Sequence, residues 1–421
     1  MTNAETAATP LLKNANFLRF WLGQGISVLG SQISGLAFPV LAVTILGASE
    51  WQMGVLNAAN SAAFLVVGLP AGALIDRMIK RRVMLAADLV RLLCLGAIPA
   101  LYFTGLLQMW HLIVLGTIAG IATVFFDVSY QSFIPLLLKG DQIGEGNSRL
   151  ESTSQISGLL GPAVVGWLLS IVKAPLMMVF DAISYAVSAI SLATVKSHEV
   201  RKPVEDRQPL HVEIREGIAF VLKERLIFRI ACTTATTNFF TTAIFTLLPL
   251  YLLRDLHLPV TFYGLMGTAA GVGGLLGSVA TPKLIARIGE GTLITASAVF
   301  SGICPIGFVV VGSIPGAWQG PWLMLVEAIQ AFFILTYNIT QVSARQRLCP
   351  PELLGRMNAS IRFFIWGVMP ISALISGGVA SAIGILPTLW VGAVGASLAC
   401  LFVVFSPLTK MRKLPDGPSA A

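Results

Sequence analysis

The sequence predicts an all-α membrane protein: twelve transmembrane helices in two pseudo-symmetric six-helix bundles, with both termini cytoplasmic. Three observations predict it. Of 421 residues, 55% are hydrophobic and only 11% charged, with mean hydropathy +0.81, whereas a soluble chain is about 25% charged. Nearly all Lys and Arg fall on one side of the apolar runs. The second half repeats features of the first at an offset near 210.

A span needs about 20 apolar residues. Twelve runs reach that scale: 17–46, 51–75, 83–104, 112–138, 150–172 and 176–195, then 227–253, 261–281, 292–312, 321–342, 357–383 and 387–406. The chain thus divides into a tail 1–16, a first bundle 17–195, a linker 196–226, a second bundle 227–406 and a tail 407–421. The linker opens with RKPVEDRQP. It continues as VEIREGIAFVLKER, whose mixed charged and apolar period suits a helix lying on the membrane surface. No cleavable signal peptide is expected, because the first apolar run is far longer than a signal core.

The joint between the second and third spans, GALIDRMIKRR at 72–82, fixes the orientation. Its basic cluster belongs on the cytoplasmic side, and that choice places 25 of the 28 Lys and Arg there. Lys173 and Arg254 fall outside, and Arg91 lies inside a span. The net charge of +8 is therefore a topology signal, and no nucleic-acid partner is expected.

The halves match in order. An offset of 210 carries Gly54 onto Gly264 and GALIDRM at 72–78 onto PKLIARI at 282–288; an offset of 211 carries Asn147 onto Asn358 and Gly166 onto Gly377. The acid of the first joint, Asp76, has Ala286 as its mate, so the two gates differ chemically. Two such halves about an axis along the membrane normal make a secondary-transporter architecture with the substrate site between them. An enzyme is not expected. There is no nucleophile elbow, HExxH or phosphate loop. The five Cys are scattered without metal-ligand spacing, so no metal and no cofactor are expected.

GALIDRMIKRR resembles the loop signature of the major facilitator superfamily. SGLLGPAVVG at 157–166 is similar to the Gly-Pro motif on the fifth helix of its exporters, carried by Gly161, Pro162 and Gly166. YNITQVSARQRLCPPELLGRMNAS at 337–360, FFDVSYQSFIP at 125–135 and GNSRLES at 146–152 resemble the branch of macrolide efflux proteins and the enterobactin exporter. The chain departs from the pattern at three places. Ile79 stands where the loop usually has Gly, Ser31 where the branch often has an acid, and the fourth span lacks an Arg common in proton-coupled exporters.

The resemblance implies a proton-driven exporter of amphipathic small molecules, such as macrolides or a siderophore. It would be a monomer in the cell inner membrane, with the proton gradient as energy source. Uptake or lysophospholipid movement is the alternative; a non-transporting sensor would need a soluble domain. Within the spans, Asp127 and Glu327 are the proton-coupling candidates, since desolvation penalises the charged form of a lone carboxylate. Asp88 and Arg91, three residues apart, can pair as a structural unit, and Asp181 reads as a packing or capping residue. Cavity candidates are Gln24, Gln32, Asn57, Gln155, Asn238, Phe239, Asn338 and Trp366. The cytoplasmic gate comprises Gly72, Asp76, Arg77, Lys80 and Arg81, with Arg287 and Arg356 in the other half. There Asp76 would act on the helix beginning near Arg356. Arg77 and Arg81 would pair with Asp141, Glu145 or Glu151.

Overall fold

The computed structural model describes residues 11–75, 78–138, 142–196, 218–350 and 353–415. The described residues form helices and connecting turns, without a strand. The first half contains α1 (Ala15–Thr44), α2 (Glu50–Ile75), α3 (Lys80–Phe103), α4 (Met109–Leu137), α5 (Gln142–Ile171) and α6 (Ala174–Thr194). The second contains α7 (Arg225–Pro249), α8 (Val260–Ile288), α9 (Glu290–Val309), α10 (Gly316–Leu348), α11 (Leu354–Ile383) and α12 (Ile385–Ala399). Eleven described helical segments are long and apolar enough to cross a membrane. With the 26-residue α2, that number is compatible with twelve spans. Most of the linker, residues 197–217, lies outside the described residues.

Local chemistry sets several boundaries. Asn14 caps α1, its side chain accepting from Asn16 N and Phe17 N. The joints following α2 and α8 are repeat mates, yet they close differently. Ile79 precedes α3 in an extended conformation, φ −76°, whereas Gly289 between α8 and α9 sits at φ +88°. Of these two residues, Gly289 uses the positive-φ region that glycine enters freely and Ile79 does not. Isoleucine at the first joint is therefore unstrained.

Within the first half, α1 packs on α5 and α6, and α3 on α4 and α6. In the second, α8 packs on α10, and α7 on α11 and α12. The halves meet along α2 with α11 and along α5 with α8. Lipid is as apolar as leucine, so close packing rather than water exclusion must hold such contacts. Small residues supply it. A Cβ on Gly54 would stand 2.6 Å from Ala373 O and 3.0 Å from Gly377 Cα; one on Gly166 would stand 2.6 Å from Gly264 Cα. These four glycines are the matched positions of the repeat. One pseudo-twofold pair of backbone crossings thus joins the bundles.

The depth of the apolar core shows which end is closed. At the end opposite the basic joints one buried cluster spans both halves, with Leu41 and Met53 packed in the same core as Leu247, Phe308 and Leu389. Toward the basic end the cores are separate. Phe17, Met84, Phe126 and Phe133 belong to the first half alone, and Ile227, Ile294, Leu348 and Met357 to the second alone. Helices α5 and α8 stay in contact as far as Leu159 and Gly271, and one turn further Gln155 and Leu275 are exposed. The molecule is shut at one face and parts toward the basic one.

Candidate functional site

The interior of the first bundle is organised around one cation. Arg91 on α3 pairs with Asp88 one turn earlier. Its guanidinium carbon lies 4.3 Å from the ring centres of both Phe126 on α4 and Tyr185 on α6. Ser188 Oγ donates to the other Asp88 oxygen at 2.8 Å. The pair anticipated from sequence is therefore part of a three-helix unit, in which aromatic faces supplement the carboxylate. Asp181 is also buried. It accepts from Ser34 on α1 and, at 3.0 Å, from Ser184. It sits inside α6 rather than at its end and ties α6 to α1, so capping is not its role. Asp127 on α4 lies within electrostatic range of Arg91.

Removing the cation strands a buried acid. Arg91→Leu is expected to destabilise the protein by about 3–5 kcal/mol, the usual cost of breaking a buried pair. Thermal unfolding in detergent reads this, and adding Asp88→Asn should recover much of the loss.

The second bundle has a different character. Glu327 on α10 is partly buried, and its Oε2 is enclosed without a hydrogen-bond partner. Tyr263 on α8 and Cys304 on α9 are ionisable groups in its neighbourhood.

The uncharged candidates separate into three groups. Some bond across helices: Asn57 Nδ2 donates to Thr246 Oγ1 at 2.8 Å, crossing between the halves, and Asn238 Nδ2 donates to Ile365 O at 3.3 Å. Others pack: Gln32 lies against Gly161, and Phe239 stands edge-on to Phe240. A third group is exposed. Gln155 is exposed beside Glu151, Asn338 is exposed on α10, and Trp366 is 40% exposed under Arg362. The enclosed Oε1 of Gln24 has no partner. The amide of Asn57 is, in this state, a strut between the bundles. In the exporter motif, Gly161 seats Gln32 of α1, while Pro162 and Gly166 face α8.

Of the gate residues, Asp76, Arg77 and Asp141 lie outside the described residues. Gly72 is in the last turns of α2 and Lys80 begins α3. Arg81 donates to the carbonyls of Leu192 and Ala193 at 3.1 and 2.5 Å, binding the end of α6. Glu145 is paired with Arg149 at 2.8 Å, and Glu151 accepts from Gln155 at 2.7 Å. Arg287 is exposed in the last turn of α8, and Arg356 lies in the first turn of α11.

Sequence reasoning missed a latch at the closed face. Arg254, past the end of α7, donates to Glu50 at the start of α2 at 2.6 Å, bridging the two halves, and also touches Asp255 at 3.3 Å. The signal was present: Arg254 is one of two basic residues on the wrong side of the topology count. Burial pushes the Glu50 carboxyl up. The Arg254 hydrogen bond, a backbone bond and the guanidinium charge together outweigh that and hold it below its ordinary value. A depressed acid keeps its contribution above its unpaired pKa and loses it as pH falls through the lowered value. The latch should therefore hold at neutral pH and fail only in acid. Glu50→Gln should open this face at pH 7, read as a rise in labelling of a cysteine placed on Met53.

A family model described as the Major Facilitator Superfamily matches residues 20–373. The chain belongs to the major facilitator superfamily. This facilitator is 24% identical over 406 residues to Macrolide efflux protein A of Streptococcus pyogenes, covering 94% of this chain and 97% of the relative. It is 22% identical over 400 residues to Multidrug efflux pump Tap of Mycolicibacterium fortuitum, covering 92% and 95%. Among solved structures, a bacterial homologue of the iron transporter ferroportin in an inward-facing state superposes with TM-score 0.74 at 15% identity, covering 96% of this chain and all of that one. The facilitator is a multi-pass cell-membrane transporter and not an enzyme.

Proposed function

We propose that this facilitator exports amphipathic small molecules of the macrolide and multidrug kind named for its relatives, by alternating access coupled to inward proton flow. Glu327 carries this reading. A carboxylate enclosed in a membrane bundle with no bonded partner at Oε2 is costly to keep charged there. It therefore favours the protonated form until a change of state exposes it. Each proton that enters contributes about 2.3 kcal/mol per 100 mV of membrane potential. Asp127 shares its surroundings with Arg91 and would act as a second, electrostatically buffered site. Gln24, Gln155, Asn338 and Trp366 would offer the cargo amide and aromatic contacts on the side that opens to the basic face. The proton gradient is the energy source, no cofactor takes part, and a single chain suffices.

Transport into proteoliposomes under an imposed pH gradient, against a panel of macrolides, siderophores and lysolipids, tests the proposal. The expected result is macrolide accumulation that collapses when the gradient is dissipated. Movement that ignores the gradient would make the protein a facilitator of passive flow and sink the antiport reading.

A further inference from the structure

Helix α10 carries Glu327, Gln330, Tyr337, Gln341 and Arg345 at intervals of three, seven, four and four residues, spacings that stack side chains on one helix face. This face is turned inward: Gln330 is 1%, Tyr337 7%, Gln341 3% and Arg345 7% exposed. It is nevertheless full of polar atoms that find no protein partner. Glu327 Oε2, both amide atoms of Gln330, Gln341 Oε1, and Nε and Nη1 of Arg345 are all enclosed and unbonded. Thr268 Oγ1 on α8 and Ser297 Oγ on α9 are enclosed and unbonded as well. The antiparallel contacts Gly307–Val326 and Phe300–Phe333 bring Ser297 level with Thr336, in the interval between Gln330 and Gln341.

An enclosed donor or acceptor without a partner bears its whole desolvation penalty. A native bundle does not tolerate a run of them, and groups so placed are satisfied by internal water. We propose that α10 lines a file of internal water from Glu327 to the basic end at Arg345, giving Glu327 a proton route along this helix, beside the exposed Asn338, whose Oδ1 accepts from Gln341 Nε2 at 3.4 Å. The file spans 18 residues of helix, about 27 Å at the α-helical rise. Gln330 and Gln341, each both donor and acceptor, anchor waters along it. The ionisable groups facing its two ends are Tyr263 and Cys304 at Glu327, and Tyr337 and Arg362 at Arg345. The fixed charge of Arg345 raises a barrier to any cation at the mouth.

This inference rests on the proton-coupled reading, and infrared spectroscopy of the reconstituted full-length chain distinguishes the two. A carboxylic acid band that titrates with pH and is missing from Glu327→Gln reports protonation of Glu327. Its absence defeats the coupled reading and the file together. With the band present, transfer from H2O to D2O reads access. Gln330→Leu and Gln341→Leu are expected to slow the isotope shift about tenfold or more, a change of one decade in rate, and Arg345→Gln is expected to increase passive proton entry into liposomes. Should a leucine variant fail to fold, the unbranched methionine serves at the same position. A band that exchanges at the wild-type rate in both variants overturns the file.

Discussion

Gly264→Val is expected to drive the transporter out of the form closed opposite its basic face and to cut transport at least severalfold. A Cβ at this position would meet Pro162 O at 2.7 Å and the Gly166 backbone more closely still. A side chain could rotate aside, but a backbone cannot, so the helices must separate. Overpacking of this kind costs about 1–3 kcal/mol, which shifts a two-state equilibrium roughly 5–150-fold. Spin-label distances across the closed face should lengthen, and Gly264→Ala should show a smaller version of the same change. Gly54→Val, at the pseudo-symmetric crossing, should act with the same sign. Unchanged distances and turnover in Gly264→Val would show that the crossing tolerates a wider spacing and sets nothing.

The second large effect is expected at Glu327. In a gradient of one pH unit, a one-proton antiporter can concentrate cargo about tenfold, since one unit is 1.36 kcal/mol. Glu327→Gln should reduce that ratio to about one, while exchange of labelled for unlabelled cargo at equal concentration continues. The glutamine keeps the shape and hydrogen-bonding capacity but cannot release a proton. Asp127→Asn should weaken accumulation less, because Arg91 shares its field. If both substitutions together left gradient-driven accumulation intact, neither acid would carry the coupling.

The sequence made the helical fold legible because the bilayer demands it. Every backbone group must bond internally, so length and apolarity alone mark a span, and the glycine offsets near 210 announced the duplication. What the matched glycines were for was not legible: Gly54 and Gly264 were equivalent positions, but that Gly54 meets Gly377 and Gly264 meets Gly166 depends on how the copies face each other. The Asp88–Arg91 pair followed from helical spacing. Its partners Phe126, Tyr185 and Ser188 come from other helices, and no local pattern points to them. Asn57 shows the same limit. A polar residue on a cavity helix can face cargo or the opposite bundle, and hydropathy is nearly blind to that choice when every other face is apolar. The joints at Ile79 and Gly289 mark the reverse case, where a single residue type already told which copy needed an ordinary backbone angle.

The Glu50–Arg254 bridge makes the closed face sensitive to salt. Both side chains are partly exposed, so dissolved ions reach them, and at about 0.15 M salt charges are screened beyond roughly 8 Å. The strength of this clasp is therefore tuned by the medium at that face. Low ionic strength is expected to hold this face shut more firmly and high ionic strength to let it open more readily, an effect of at most about 1 kcal/mol.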